Sequence, residues 1–393
     1  MKPRIALYSH DAQGLGHVRR NLAIAGVLAG DGKRDVLVMA GAKEAGVFST
    51  PPGVELLTLP GLGKSSEGVY RARSLALPLK TLIRLRAETL CAVLESFEPD
   101  VLIADKLPTG IEGELLPGLD LLKARGGCRL VLGLREVLDD PATVRREWRE
   151  TGALNVMRSH YDAIWIYGDP LVYDPVREYG MDDGLAAKVR HTGYLGRPAG
   201  RPDGALSLGL PAGDLVACLV GGGQDGFELA SAFVRAELPD ATSGVVLTGP
   251  FMPTARRHEL LAMAAGREDL AVLDFLDDPA PLLHRARSVV AMGGYNTMCE
   301  LLHLGCRTLV VPRVLPRSEQ LIRARRLAAL GVIDTLAPHE ATPAAMGDWL
   351  AAPALARTHP SELVDLGGLA RLPRLLTEVL HPSIRAAEAR LAV

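Results

Sequence analysis

The stretch GLGHVRRNLAIA, Gly14 to Ala25, follows the apolar run RIALYS at Arg4 to Ser9. Its reading decides the fold. Val18, Leu22, Ala25 and Leu28 recur at the spacing of one helical face, so the two glycines and the histidine end a strand and open a helix. In a parallel α/β sheet such turns lie at the carboxyl ends of the strands. Free backbone N–H groups and the positive end of a helix can hold an anion there. The first expectation is therefore an α/β fold that takes a phosphate-bearing ligand.

The same grammar continues outward. DVLVMAG, VELLTLP, PDVLIADK, RLVLGLRE and DAIWIYGD are short apolar runs separated by helical patterns, the signature of βαβ units. Residues 197–213 are rich in proline and glycine and break the periodicity, which predicts a linker between an N-terminal domain at 1–196 and a C-terminal domain at 214–393. The second half repeats the alternation in LVACLVGGG, GVVLTGP, LAVLDFLDD, SVVAMGG and RTLVVP. It ends in helical segments around Leu369 to Leu380 and Ser383 to Leu391, the last of which is expected to pack back on the first domain. Two Rossmann-like domains facing a central cleft follow from this order.

Composition narrows the function. A chain of 393 residues exceeds one compact core, and its 48% hydrophobic content makes a globular reading straightforward. A formal net charge of -2 argues against a dedicated nucleic-acid binder. The five cysteines are scattered without CxxC spacing, so neither a disulfide frame nor a zinc site is predicted and a reducing cytoplasm fits. The N-terminus runs straight into a strand without a long apolar signal region, and charges interrupt every leucine-rich stretch.

Three further motifs bear on ligands. GLGHVR is a poor dinucleotide fingerprint, because Arg19 stands where GxGxxG needs its third glycine. GGGQDGFELA, from Gly221, follows a strand in the other half; Gly221, Gly222, Gly223 and Gln224 would let a diphosphate approach backbone N–H groups at a helix start. In MGGYNTMCELL, Gly293 and Gly294 end a strand, Asn296 opens the next helix, and Glu300 is placed to accept hydrogen bonds from a ribose diol. In PRSEQLIRARR, Glu319 and Gln320 stand at a helix start and suit sugar hydroxyls. Each motif has a plainer alternative: turn glycines, a solvated Glu300, a capping pair at 319 and 320.

The order and spacing of GLGH, GGGQDG, LDFLDDPAPLL, GGYNTMCELL and SEQ resemble the MurG-like group of GT-B glycosyltransferases across both halves. That resemblance implies diphosphate at Gly14, Gly16 and Gly221 to Gln224, base contacts near Phe275 and Leu276, ribose at Glu300 and donor-sugar hydroxyls at Glu319 and Gln320. It implies a nucleotide-sugar donor, most simply UDP-linked. Gly223 departs from the family's GGSQG-type loop by lacking a phosphate-binding hydroxyl. Inversion is implied as well, since a Glu-x7-Glu pattern ending at Glu300 would begin at Met292.

Sugar transfer needs an activated acceptor hydroxyl. His17 is the candidate base, because an imidazole near its ordinary pKa accepts a proton at neutral pH and a helix N-terminus disfavours the imidazolium. Its alternatives are a capping ring or a phosphate donor. No Asp-x-Asp pair occurs, so neither an obligatory metal nor another cofactor is expected. Asp105 and Lys106, with Arg135 and Glu136, follow strands of the first half and form the expected acceptor side, where Lys106 and Arg135 would meet a phosphate or carboxylate; an interdomain ion-pair set is the alternative. The segment Ser74 to Leu94 mixes leucines with Lys80, Arg84 and Arg86, which reads either as a surface docking on an anionic membrane or as a core helix with a basic edge. The acceptor stays open among small molecules, glycans and lipid-linked molecules. Competing with a transferase are a nucleotide-sugar hydrolase of the same fold, a 2-epimerase, and a non-catalytic nucleotide-sugar-binding partner protein.

Overall fold

A computed structural model describes residues 2–10, 16–42, 49–64, 70–196, 213–276, 278–353 and 357–382. The expected linker, apart from Gly213, lies outside the described residues, as do Gly14 and the segment after His381 and Pro382.

Among the described residues the first half forms nine strands: β1 (Arg4–Ser9), β2 (Asp35–Ala40), β3 (Val54–Thr58), β4 (Leu62–Lys64), β5 (Tyr70–Ala72), β6 (Val101–Asp105), β7 (Arg129–Arg135), β8 (Ala163–Tyr167) and β9 (Val189–His191). Seven of them make a parallel sheet in the order β3-β2-β1-β6-β7-β8-β9, while β4 and β5 pair as a small antiparallel ribbon. The second half contributes β10 (Asp214–Leu219), β11 (Thr242–Leu247), β12 (Leu270–Leu273), β13 (Ala286–Ala291), β14 (Arg307–Val310) and β15 (Asp334–Thr335), ordered β12-β11-β10-β13-β14-β15. Both orders run outward from the first strand and reverse beside it. This is the doubly wound pattern, and its ligand crevice lies at the carboxyl edge where the order reverses.

The strands are continuous apolar runs because helices cover both faces of each sheet. Ile5, Leu7, Val101 and Ile103 face one cluster, and Ala6, Tyr8, Leu102 and Ala104 face the other. Helix Gly16–Ala29 buries Val18, Leu22, Ala25 and Leu28, the face expected from the sequence. Against it packs helix Gly368–Leu380, through Leu369, Leu372, Leu375, Leu376 and Val379. That same apolar cluster runs on through Tyr194, Tyr295, Met298, Cys299 and Leu302, so a single core spans both halves.

One sequence expectation is corrected in helix Leu79–Phe97. Arg86 is no part of a solvated basic edge: it is fully buried, and its Nε and Nη2 donate to Glu114 at 2.5 and 2.7 Å while Tyr8 Oη donates to the same carboxylate. A charge held inside a core must be paired and hydrogen-bonded. Lys80, Arg84 and Leu85 of this helix do face outward, beside exposed Leu75 and Leu77.

Candidate active site between the two sheets

The order of the first sheet reverses between β1 and β6, so the residues that leave these strands converge. Beyond β1 stand His10 and the start of helix Gly16–Ala29, and beyond β6 stands Lys106. Neighbouring β7 ends in Arg135 and Glu136, one step further along the same edge.

His17 sits on the first turn of its helix and its Nδ1–H donates to Asp105 Oδ2 at 2.5 Å. One turn on, Arg20 donates from Nη2 to both Asp105 oxygens at 2.7 Å, and the same nitrogen lies 2.8 Å from His17 Nδ1. The carboxylate is fully buried, and against the opposing effect of burial the Arg20 guanidinium and the hydrogen bonds from Arg20 and His17 hold its pKa well below the usual range. An ionised Asp105 fixes Nδ1 as the protonated nitrogen, which leaves Nε2 with the lone pair a base needs. Burial pulls the His17 imidazolium down to about 3, with Arg20 and Lys106 acting the same way and Asp105 opposing them. The ring is therefore neutral at pH 7, for reasons of desolvation first.

A second imidazole adjoins it. His10 is 6% exposed, its ring meets that of His17 edge-on at 4.6 Å, and its buried Nδ1 has no hydrogen-bond partner. Burial, then the neighbouring charges, also pushes its pKa well below the ordinary value. His10, His17 and Asp105 bring ligand-type atoms within 4.8 Å of one another, but Arg20 occupies both carboxylate oxygens and a cation would have to displace it.

The two buried rings carry a prediction about acid. Between the ordinary value of 6.5 and the folded value of about 3, the unfolded chain binds a proton that folded His17 refuses, so stability falls as pH drops through that window. His10 acts in the same direction below 6.5. Each ring that stays neutral adds a slope of up to about 1.4 kcal/mol per pH unit. Thermal melts from pH 7 to 4.5 should show a steep decline for the native chain and a shallower one for the His10→Asn, His17→Asn double variant. Parallel declines would disprove the assignment.

The second sheet presents its own reversal, between β10 and β13. The loop Gly221–Gly223 leaves β10, and Gly293 and Gly294 leave β13 ahead of helix Tyr295–Leu304. Gly223 has φ +91° and packs so closely that a Cβ would stand 2.1 Å from the Thr248 carbonyl oxygen. This explains the departure from a serine-bearing loop: here only glycine fits. Phe275 is exposed and Leu276 half-buried beyond β12. A cavity of about 460 Å³ flanks these loops, lined in part by Asp225, Leu229, Met292, Arg313 and Leu315.

The two edges meet directly. Asn296 Nδ2 donates to the Gly16 carbonyl at 2.8 Å, and Arg19 pairs with Glu300 at 2.8 Å. Tyr295 lies between the guanidinium groups of Arg20 and Arg323, each 5.5 Å from its ring centre, and stacks on Tyr194. Arg317 pairs with Asp139 and Glu147 across the interface.

Several candidates take on sharper or different roles. Glu136 is fully buried, accepting from Arg323 at 2.5 Å and from Tyr194 Oη at 3.0 Å, so it forms an interdomain ion pair rather than an acceptor surface. Asp105 serves His17 and Arg20 instead of an acceptor. Glu319 is 4% exposed, pairs with Arg313 at 2.9 Å, and its buried Oε2 has no hydrogen-bond partner. Gln320 spends its Oε1 on the Arg313 backbone N–H, a local cap. Arg20, Tyr295, Arg323 and His10 were not singled out in the sequence. Only Arg20 carried a visible signal, one helical turn from His17.

Residues 217–347 match the model of the glycosyltransferase family 28 C-terminal domain. An uncharacterized glycosyltransferase of Methanosarcina mazei is 23% identical over 323 residues, covering 76% of this chain and 77% of that protein. Among solved structures, MurG of Acinetobacter baumannii aligns with a TM-score of 0.52 at 15% identity over 94% of this chain and 93% of the other. A UDP complex of MnaA from S. aureus aligns at 0.67 with 10% identity over 98% and 97%. The putative UDP-N-acetylglucosamine 2-epimerase of Listeria monocytogenes aligns at 0.63 with 13% identity over 98% of both chains. The fold is GT-B, and the second half carries the match to the glycosyltransferase family 28 C-terminal domain.

Proposed function

We propose that this GT-B, family 28-like glycosyltransferase moves a sugar from a nucleotide diphosphate sugar, UDP-linked in the simplest case, to an acceptor hydroxyl with inversion. The observation that carries the reading is His17, held by Asp105 at 2.5 Å and joined through Gly16 and Asn296 to the helix that opens at Gly294. A base on one sheet edge thus abuts an anion-binding helix start on the other.

In this reading His17 Nε2 takes the acceptor proton, the acceptor oxygen bonds to the anomeric carbon, and the bond from that carbon to the diphosphate oxygen breaks. Asp105 stabilises the imidazolium as it forms. The departing diphosphate is met by N–H groups of Gly221 and Gly222, in the turn that the Gly223 N–H closes onto the Val220 carbonyl, and of the helix start after Gly293 and Gly294. Phe275 and Leu276 flank the base, Glu300 accepts from the ribose, and Glu319 Oε2 accepts from the sugar. The exposed Leu75, Leu77 and Leu85 with Lys80 and Arg84 support contact with an anionic membrane surface. Among the described residues no helix is long and apolar enough to cross a membrane.

A second reading, chemistry on a UDP-sugar without an acceptor, is favoured by the epimerase neighbours, whose TM-scores reach 0.63 and 0.62. Incubation with UDP-sugars alone separates the two: free UDP or an epimeric product appearing stoichiometrically rejects the transferase.

Glu300 tests the donor site. Glu300→Ala should weaken UDP by about 10- to 100-fold, since a hydrogen bond to a charged acceptor contributes roughly 1.5–3 kcal/mol. Arg19→Ala should do the reverse, because it frees Glu300 from an ion pair that the ribose must displace. Calorimetry that finds both variants binding UDP like the native chain overturns the ribose assignment.

A further inference from the structure

Lys106 and Arg135 are the cations of this edge that close no salt bridge with any described residue. Their neighbours contrast sharply: Arg20, Arg323 and Arg317 are each locked onto a carboxylate. The Arg135 Nε is buried without a hydrogen-bond partner. Lys106 holds a left-handed backbone, φ 69°, fastened by donation of its N–H to the Gly133 carbonyl at 2.7 Å, two residues before Arg135. A non-glycine residue in that region is strained, and such strain persists only where surrounding structure enforces it. Two like charges are thereby carried at the ends of adjacent strands, neither in a salt bridge with a described residue.

The groups facing Lys106 are Asp105, His10, His17 and Arg135 from the first half, and Arg317 and Glu319 from the second. Asp105 is paired with Arg20, and Glu319 with Arg313, which also serves Asp225. Burial and the adjacent Arg135 pull the Lys106 ammonium down to about 7. The favourable charge that both cations share is Glu319, whose Oε1 goes to Arg313 while its Oε2 has no hydrogen-bond partner.

We infer that Lys106 and Arg135 form an anion subsite on the first domain's side of the cleft, which binds a phosphate or carboxylate carried by the acceptor. The word acceptor rests on the reading above; the anion subsite does not. An acceptor anion docked there stands beside His17, whose partner Asp105 is the residue next to Lys106. The donor diphosphate and the acceptor anion thus have separate cradles, which keeps two negative ligands apart.

Inorganic phosphate is the probe. Calorimetry on the full chain should show phosphate binding that Lys106→Met and Arg135→Met each weaken tenfold or more, with UDP affinity changed less than about twofold, and saturating UDP should leave phosphate affinity intact. Both substitutions remove a desolvated, unpaired charge, so both variants should melt at a higher temperature than the native chain. Folded variants that keep native phosphate affinity, or a native chain that binds no phosphate, overturn the subsite. Displacement of phosphate by UDP, with loss of UDP affinity in both variants, assigns the cations to the donor and overturns the acceptor assignment. If UDP fails to bind at all, the donor reading falls while the phosphate result still stands or fails by itself.

Discussion

His17→Ala is expected to bind UDP with nearly native affinity and to turn over about 10² to 10⁴ times more slowly, the range that removal of a general base produces. The loss belongs in the chemical step because the start of the His17 helix is tied to the donor domain through the Gly16 carbonyl and Asn296, while the ring is committed to Asp105. A ring whose pKa is held down to about 3 is a weak base, and an anionic diphosphate and an acceptor anion both raise it. Catalysis by His17 is therefore assembled by its ligands. His17→Gln separates the roles, since an amide donates to phosphate but takes no proton at neutral pH. A Gln variant with native turnover would falsify the assignment of His17 as base.

The second large effect is on stability. Glu136 and Arg323 are both 0% exposed at the side chain and meet at 2.5 Å, so removing either partner leaves a buried charge without compensation. Such losses cost about 3–5 kcal/mol. Glu136→Ala and Arg323→Ala should each shift the urea midpoint strongly downward, while the double variant Glu136→Leu, Arg323→Met should recover most of the loss, because no charge remains to be desolvated. The burial of Arg323 raises the requirement further, since its guanidinium also flanks Tyr295. Single variants that unfold within about 1 kcal/mol of the native chain would show that water reaches the pair and that the interface opens freely.

Much of this architecture was legible in the sequence for a physical reason. Parallel strands covered on both faces must be apolar throughout, so RIALYS, PDVLIADK and SVVAMGG announce themselves without any partner being known. The glycines that end such strands mark the carboxyl edge, which is why His17, Gly221 and Gly293 fell on the edges that face each other. What stayed hidden depends on pairs far apart in the chain. Glu136 meets Arg323 across 187 residues, and nothing near Glu136 distinguishes an acceptor contact from an ion pair. Glu300 likewise reads as a ribose ligand, yet whether Arg19 already holds it is decided by domain docking. Arg86 looked like a solvated charge because its partner Glu114 lies on the far side of β6 in sequence. Gly223 could be seen to differ from the family's loop, but the Thr248 carbonyl that forbids a side chain there is supplied by another strand.

The docking of helix Gly368–Leu380 on helix Gly16–Ala29 also bears on how the chain is made. Ribosomal synthesis delivers the first helix well before its cover. Until then Val18, Leu22 and their neighbours rest on the first sheet alone, with the outer edge of that apolar cluster in water. The first domain therefore emerges as an incomplete unit whose final packing waits on helix Gly368–Leu380. Domain-by-domain folding during synthesis is interrupted here, and the exposed stripe gives chaperones a defined place to bind nascent chains. Arrested chains lacking residues 368–382 should be captured far more than full-length ones.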